Sequence, residues 1–324
     1  MYNQAQPDEV INVINSVNTF LQWESLNGAP RGYLYYHPSA FGTCLRKMQY
    51  QFYEEKGYKL HPSITLPPPT PIDGRVARIF ANGHSMHERW AHLFDRMGIL
   101  RGVWECSNEC CHLWDDNGQF ITGKPGIENP SLPREGRKYG LDKSIGCFKP
   151  KKCVCGNTKF RYHEILVEDK SLNFRGHADQ ILDFSNFDPD RLKSGNKVDI
   201  LFDVNSLPKK PIVNDMKTIN SNQFNPKGFG KVTSLPKLEH QIQLTIYINI
   251  LDLEYGMLIY ENKDDSDTKI FQVERNASLW DKIKEQSINM QAMVEGKLLP
   301  PPRPDNQTGY ECRDCRYKTI CHSS

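Results

Sequence analysis

The chain has 324 residues, with 41 Lys and Arg against 39 Asp and Glu and a formal net charge of +2. This length is enough for one large domain or two smaller ones, each with a buried core. The sequence contains no run of about 18 uncharged apolar residues, so no membrane span is predicted. Its first ten residues also lack the basic and apolar regions of a secretory signal, so we expect a cytoplasmic protein. A charge near zero neither favours nor excludes DNA as a partner.

The first 100 residues are predicted to form an N-terminal helical region, 1–100. Apolar residues at helical spacing predict helices at about 8–25, from Pro38 through Tyr53, and at about 75–97. In the second of these helices, Ser39 is the expected N-cap and Cys44 lies in the body. The proline-rich residues 61–74 predict a loop or linker.

The composition changes at residues 101–161. Glycine, proline and charged residues dominate there, and apolar periodicity is poor. The segment also contains six cysteines: Cys106, Cys110, Cys111, Cys147, Cys153 and Cys155. In a chain without a secretion signal, closely spaced cysteines indicate metal binding more often than disulfides. We therefore predict a cysteine-rich insertion that is stabilised by metal rather than by a hydrophobic core.

Strand patterns dominate residues 162–298. They occur in HEILVED, FRGHADQILDF, KVDILFDV, KPIVNDMKTI, GMLIYENK and TKIFQVE. Helices are predicted at about 235–253 and 278–293. This arrangement predicts an α/β core, a mixed sheet flanked by helices. The tail, residues 299–324, has no core-forming pattern and ends on three cysteines.

Candidate catalytic residues lie on two of these strands. Asp215 and Lys217 are two residues apart in KPIVNDMKTI, so both side chains should lie on the same face of the strand. A carboxylate can hold Mg²⁺ or Mn²⁺, and an ammonium beside it can polarise an attacking water. Asp179, at the start of a neighbouring strand, is the candidate second carboxylate. Taken alone, D-x-K more often marks a solvent-facing strand edge. The apolar residues that flank it indicate instead a charged pair inside a mostly buried strand: Ile212, Val213, Met216 and Ile219.

The helix at 235–253 is apolar over most of its circumference, yet it carries one polar stripe. His240, Gln243 and Tyr247 recur at helical spacing along this stripe. One interpretation is a core helix whose polar groups satisfy local hydrogen bonds. The other places Gln243 and Tyr247 beside the metal site, where they contact a DNA backbone or support Lys217.

The motifs together resemble the RecB-like branch of the PD-(D/E)XK nuclease superfamily. The order is G-x-x-x-H ending at His87, G-x-x-D ending at Asp179, D-x-K at 215–217 and Q-x-x-x-Y at 243–247. Cys44 and the terminal C-x2-C-x5-C resemble the iron–sulfur members: the CRISPR-associated RecB-family exonuclease, the AddB nuclease domain and related phage exonucleases. The match spans residues 39–321. It departs from the pattern in having Asp before x-Lys, where Glu is commoner, and in the cysteine-rich insertion.

The resemblance implies a restriction-endonuclease-like fold and a set of residue roles. His87, Asp179, Asp215 and the Met216 carbonyl would be ligands of Mg²⁺ or Mn²⁺. Lys217 would be the catalytic lysine, and Gln243 and Tyr247 the helical motif. A 4Fe–4S cluster would be held by four cysteines at the two ends of the chain: Cys44, Cys312, Cys315 and Cys321. Spacing alone does not separate this cluster from zinc.

A zinc site is predicted within the insertion. Cys153 and Cys155 would supply one half, and Cys106 with Cys110 or Cys111 the other. Cys147 and His112 are reserve ligands. The alternative is that some of these cysteines are ordinary buried thiols.

The function that the sequence favours is a metal-dependent deoxyribonuclease, an exonuclease of phage or bacterial DNA replication, recombination or processing. Its partners would be DNA, single-stranded or with free ends, and replication or recombination proteins. We expect scattered basic residues to meet the phosphates, with Arg46, Lys47 and Arg175 as examples. One alternative is a DNA-binding or assembly subunit with an inactive nuclease core, and another is a redox-sensing metalloregulator.

Overall fold

The structure is a computed structural model, and it describes ten segments of the chain: 15–24, 32–60, 73–108, 138–140, 143–153, 155–188, 207–224, 235–302, 310–313 and 315–321. Several predictions fall outside these segments: the start of the first helix, the loop at 61–72, the strand KVDILFDV, Cys110, Cys111 and His112. Within the described segments, no helix combines the length and apolar character needed to cross a membrane.

The fold is α/β and is built on an eight-stranded mixed sheet. Six strands follow one another in the order β10-β9-β8-β7-β1-β2, and β3 and β4 also pair with β1. Strands β8 and β9 are parallel, whereas the other pairs are antiparallel. The sheet strands are β1 (Leu100–Cys106), β2 (Lys138–Tyr139), β3 (Cys147–Phe148), β4 (Phe160–His163), β7 (Gln180–Leu182), β8 (Ile212–Ile219), β9 (Tyr255–Asn262) and β10 (Thr268–Glu274). A separate hairpin consists of β5 (Ile165–Asp169) and β6 (Phe174–Ala178).

In the described part of the chain, four long helices flank these strands: α1 (Leu45–Glu55), α2 (Gly74–Met97), α3 (Leu238–Ile250) and α4 (Ala277–Glu295). Residues 15–24 are also helical. Short helices occur at Pro38–Phe41, Ser221–Phe224, Tyr310–Arg313 and Lys318–Cys321. Helix α3 packs over one face of the sheet, where Leu244 joins the core with Val213 of β8. Helix α2 packs over the other face, where Phe94 joins the core with Met216.

The helix predicted from Pro38 to Tyr53 is in fact two helices, so Ser39 is not its N-cap. Ser39 lies inside the short helix Pro38–Phe41, which ends at Gly42. A Cβ at Gly42 would lie 2.5 Å from the Cα of Glu239, so only glycine permits this close approach to α3. The chain then restarts α1 with Cys44 as N-cap, whose sulfur accepts a hydrogen bond from the Lys47 N–H at 3.4 Å.

The sheet also begins within the segment predicted as an insertion. Strand β1 starts at Leu100, and its Leu100, Val103 and Trp104 side chains are buried. Strand β1 pairs with β7, which joins it to the central sheet. The sequence does not reveal this strand because glycine, charged residues and cysteine interrupt its apolar residues.

Candidate active site

Asp215 and Lys217 lie on the same face of β8. Side chains alternate between the two faces of a strand, so this pair lies on the face of Val213, beneath α3, and opposite Met216. The Lys217 Nζ donates a hydrogen bond to Asp215 Oδ1 at 3.0 Å and lies 2.8 Å from Oδ2. Asp215 is fully buried, and its Oδ2 accepts no well-directed hydrogen bond among the described residues. The two residues therefore form a charged pair inside the sheet.

Asp179 reaches this pair from the junction of β6 and β7. Pairing of β7 with β8 begins at Gln180 opposite Asn214, which puts Asp179 beside the next residues of β8. The Asp179 Oδ2 accepts a hydrogen bond from the Met216 N–H at 2.9 Å. Asp179 is also close enough to Asp215 for the two carboxyl groups to influence each other's pKa. The two carboxylates and the lysine predicted from the sequence are therefore together in the structure.

Gln243 and Tyr247 reach the same point from α3. They are one helical turn apart and so share a face of the helix. The Gln243 Oε1 accepts a hydrogen bond from Lys217 Nζ at 3.0 Å, and its Nε2 donates to Asp215 Oδ1 at 3.1 Å. The same Nε2 donates to the Tyr247 hydroxyl at 3.3 Å. One amide thus fixes the lysine relative to the carboxylate.

His87 approaches from α2, on the other side of Asp179. Its Nδ1 lies 3.4 Å from Asp179 Oδ2. The next turn of α2 is tied to the sheet by Glu261 of β9, a buried carboxylate that accepts hydrogen bonds from Arg89 and from the Trp90 indole. A buried carboxylate with two such donors holds its partners firmly, so this contact fixes the part of α2 that carries His87.

Five of the candidate residues line a groove of about 970 Å³, whereas Asp215 is fully buried: the five are His87, Asp179, Lys217, Gln243 and Tyr247. The titratable side chains of the groove include His84, His87, Glu164, Asp179, Lys217, Lys237, His240 and Lys263. Ile79 and Phe80 of α2 also line it and are exposed. Acidic groups thus meet lysines on the walls of one open groove, an arrangement that can bind a cation and a phosphate chain together.

Sequence patterns did not single out Glu164, which lies between β4 and β5 and lines the groove beside Asp179. In the sequence it is one acid among several in a strand-like segment. Its position becomes visible only when the hairpin β5–β6 is placed next to β7 and β8. No local spacing rule could have identified it.

The environment of the site disfavours the ionised form of its carboxyl groups and so raises their pKa values. Burial raises the pKa of Asp215 to about 6, although the Lys217 ammonium lowers it. Burial likewise raises the pKa of Asp179. Burial alone would lower the pKa of Lys217, but the Asp215 and Asp179 carboxylates raise it above its ordinary value. Partial desolvation in the groove, followed by the two aspartates, raises the pKa of Glu164 to about 7.

A second group of candidate ligands consists of Cys106, at the end of β1, and Cys153 and Cys155. Their sulfurs lie within 4.8 Å of one another, and the Cys106 and Cys155 sulfurs are 3.7 Å apart. This group can hold a metal ion. Among the described residues no other three His, Cys, Asp or Glu side chains are as compact, and the ligand atoms of His87, Asp179 and Asp215 are more widely spread.

Several hydrogen-bond donors surround these three sulfurs. Cys106 Sγ accepts from the Asn157 side chain at 3.3 Å and from the Asn108 N–H at 3.5 Å. The Tyr139 hydroxyl donates to Cys153 Sγ at 3.3 Å. Such donors can orient sulfurs that bind a metal ion.

The four remaining cysteines predicted as ligands also come together. Cys44 precedes α1, whereas Cys312, Cys315 and Cys321 lie in the tail, and all four line one small cavity with Tyr50 and Tyr317. All four are described, and no three of their sulfurs lie within 4.8 Å of one another. This site is therefore wider than the group around Cys106.

Other predicted residues lie away from the groove. Arg46 is buried and donates to the carbonyls of Pro300 and Cys321, so it cannot meet DNA phosphates as expected. Lys47 lines the cysteine cavity of the tail. Arg175 is exposed on β6 but contacts Glu168 rather than the groove. Cys147 belongs to neither cysteine group.

Comparison with known proteins assigns no family to this chain. No family model matches the sequence, and no curated protein is significantly similar to it. One solved structure with some likeness is titled "Crystal structure of SSO0001". The alignment has 13% sequence identity and a TM-score of 0.40, and it covers 96% of this chain and 97% of that chain. A TM-score this low supports no inference about function.

Proposed function

We propose that the protein is a Mg²⁺- or Mn²⁺-dependent deoxyribonuclease of the PD-(D/E)XK type with a restriction-endonuclease-like fold. The observation that carries the proposal is the cluster of Asp179, Asp215, Lys217 and Gln243, all of which except the fully buried Asp215 line an open groove. Two carboxylates can hold a divalent cation, and a lysine beside them can stabilise the charge that develops when a phosphodiester bond is hydrolysed. DNA replication, recombination or processing would be its setting, and DNA its substrate.

The residues fit a hard divalent cation. Asp215 is fully buried, Asp179 is partly exposed on the groove wall, and Asp215 Oδ2 lacks a well-directed donor among the described residues. Burying such charges is costly unless a cation offsets them. Asp179, Asp215, the Met216 carbonyl and His87 would hold the ion, which would supply Lewis-acid activation of the phosphate and of water.

The protein's own groups have distinct roles in this proposal. Lys217 orients the attacking water and stabilises the negative charge that develops on the phosphate. Gln243 holds the Lys217 ammonium through its Oε1 and Asp215 through its Nε2. Tyr247 accepts a hydrogen bond from Gln243 and fixes the amide in this orientation.

We assign different metals to the two cysteine sites. In a tetrahedral site with Zn–S bonds of about 2.3 Å, neighbouring sulfurs lie about 3.8 Å apart. The 3.7 Å between the Cys106 and Cys155 sulfurs supports zinc there, with Cys153 as third ligand. The fourth ligand would come from Cys110, Cys111 or His112, which lie outside the described residues.

The wider spacing of the tail cysteines supports a larger group. Cys44, Cys312, Cys315 and Cys321 converge on one cavity, but their sulfurs are too far apart to share a single ion. In a 4Fe–4S cluster each thiolate binds a different iron, so the sulfurs are held further apart. We therefore assign a 4Fe–4S cluster to this site.

The test is digestion of end-labelled single- and double-stranded DNA by anaerobically purified protein with Mn²⁺. Lys217→Ala should lower kcat by about 10²–10³-fold or more, because a preorganised charge beside the phosphate is lost. DNA affinity and far-UV circular dichroism should stay close to those of the wild type.

Lys210→Ala is the matched control. Lys210 is an exposed lysine that pairs with Glu254 and does not line the groove, so full activity is expected. Undiminished cleavage by Lys217→Ala would remove the lysine from the mechanism. Binding of DNA without any cleavage by the wild type would point instead to a DNA-binding or assembly subunit.

A further inference from the structure

His240 of α3 lines the groove with Lys217 but has no role in the chemistry described above. Its Nδ1 lies 2.6 Å from the hydroxyl oxygen of Tyr260, a fully buried residue of β9. That hydroxyl oxygen also accepts a hydrogen bond from the Lys237 N–H at 3.2 Å. The ring is therefore held by a side chain of the sheet beneath it.

This network determines which nitrogen of the ring carries hydrogen. A buried hydroxyl hydrogen without an acceptor is costly, and His240 Nδ1 is the acceptor that the described residues offer to Tyr260. Nδ1 must then be unprotonated, and in the neutral imidazole the hydrogen lies on Nε2. Burial, followed by the charges of Lys217 and Lys237, lowers the pKa of His240 to about 3, so the ring stays neutral at physiological pH.

The Nε2–H therefore has no hydrogen-bond acceptor among the described residues. The ring that carries it lines the groove. We propose that His240 Nε2–H donates a hydrogen bond to a non-bridging oxygen of the phosphate that binds beside Lys217. His240 is then a substrate-contacting residue, and Tyr260 is the positioning residue that fixes its tautomer. This inference rests on the proposed nuclease function.

Two isosteric substitutions separate this role from a structural one. Asparagine places a polar atom at the position of Nδ1, so His240→Asn can keep the bond to Tyr260 but loses the Nε2–H donor. Glutamine places an amide nitrogen at the position of Nε2, so His240→Gln keeps the donor but loses that bond. We expect His240→Asn and His240→Ala to lower kcat by about 10²–10³-fold and His240→Gln by less than about tenfold, because only the first two lose the donor.

The reverse order, an active asparagine variant and an inactive glutamine variant, would show that His240 only supports the fold through Tyr260 and would overturn the proposal. A readout that does not depend on cleavage is the ¹⁵N NMR spectrum of the ring, assigned by comparison with His240→Gln. A neutral ring protonated at Nε2 is expected in the wild type between pH 6 and 8. In Tyr260→Phe, hydrogen on Nδ1 should become detectable.

The NMR spectrum and the cleavage assay together distinguish failure of this inference from failure of the proposed function. Hydrogen on Nδ1, or a cationic ring, in the wild-type spectrum contradicts this inference even when the protein cleaves DNA. The expected spectrum with no DNA cleavage under any condition contradicts the proposed function, and the phosphate contact falls with it.

Discussion

At the scale of single residues, the candidate site is built at a cost in stability. Asp215 is fully buried, and burial raises its pKa to about 6. The folded protein therefore binds this proton more tightly than the unfolded chain does. As pH rises from the ordinary pKa of an aspartate to the pKa of about 6 in the folded protein, the folded protein loses stability. Above pH 6 this loss is complete. Asp183 is the opposite case, because hydrogen bonds from Ser185 and Arg101 outweigh burial and lower its pKa.

This contrast predicts opposite pH dependences for two asparagine variants. With divalent cations removed by a chelator, the stability of Asp215→Asn relative to wild type should increase by about 2 kcal/mol between pH 4 and pH 7. The stability of Asp183→Asn relative to wild type should decrease as pH rises through the acidic range. The reason is that Asp183 becomes ionised in the wild type and its hydrogen bonds then stabilise the fold. Urea unfolding at both pH values measures the two differences. Equal pH dependence in the two variants would contradict the electrostatic description of Asp215.

Part of the site was predictable from residue spacing. Asp215 and Lys217 were found because a strand repeats every two residues, and Gln243 and Tyr247 because a helix repeats every three to four. Glu164 was not found, and neither was the link from His240 to Tyr260. Those contacts join elements that are distant in sequence. The spacing of residues within one helix or strand gives no information about such contacts.

At the scale of elements, the same limit explains the corrections to the fold. The helices α2, α3 and α4 and the strands β8, β9 and β10 have long, regular patterns, and they were predicted within a few residues. The break between Pro38–Phe41 and α1 depends on contact of Gly42 with Glu239, almost 200 residues later. Strand β1 is recognisable as a strand only through its partners β4 and β7.

The proposed zinc site would link two neighbouring strands of the sheet, β1 and β4. Cys106 ends β1, and Cys153 and Cys155 lie in the turn before β4, which pairs with the end of β1. We expect one zinc per chain by mass spectrometry of metals. Cys153→Ser should lose it and should increase hydrogen exchange in β2 and β4 but not in β8 or β9.

Cys147→Ser is the control for this variant. Cys147 lies in the same segment on β3, but its sulfur is outside the compact group. It should keep the zinc and the wild-type exchange pattern. Loss of zinc from Cys147→Ser, or its retention in Cys153→Ser, would show that the ligand set is wrong.

At the scale of the whole molecule, the tail returns to the start of the chain and packs on α1. Tyr317 stacks on Tyr50 with ring centroids 5.1 Å apart, and its hydroxyl donates to Glu54 at 2.6 Å. Arg316 also pairs with Glu54 at 2.8 Å, and Arg46 donates to the Pro300 carbonyl at 3.0 Å. These contacts bring the cysteines at the two ends of the chain to one cavity. A cluster there would cross-link the two ends of the chain. This cross-link would lower the entropy of the unfolded chain and so stabilise the folded protein by on the order of 5 kcal/mol.

Cys44→Ser tests this closure without disturbing the helix that it precedes. Cys44 is the N-cap of α1, and serine is a good N-cap, so α1 should keep its first turn. We expect the variant to lose its iron and the visible absorption of the cluster, to melt at a lower temperature, and to become open to proteolysis in the tail. It should keep its zinc, whereas Cys153→Ser should lose zinc and keep iron. A Cys44→Ser protein that retains four irons would remove Cys44 from the ligand set, because serine at a helix N-cap replaces the capping bond of cysteine but not its affinity for iron.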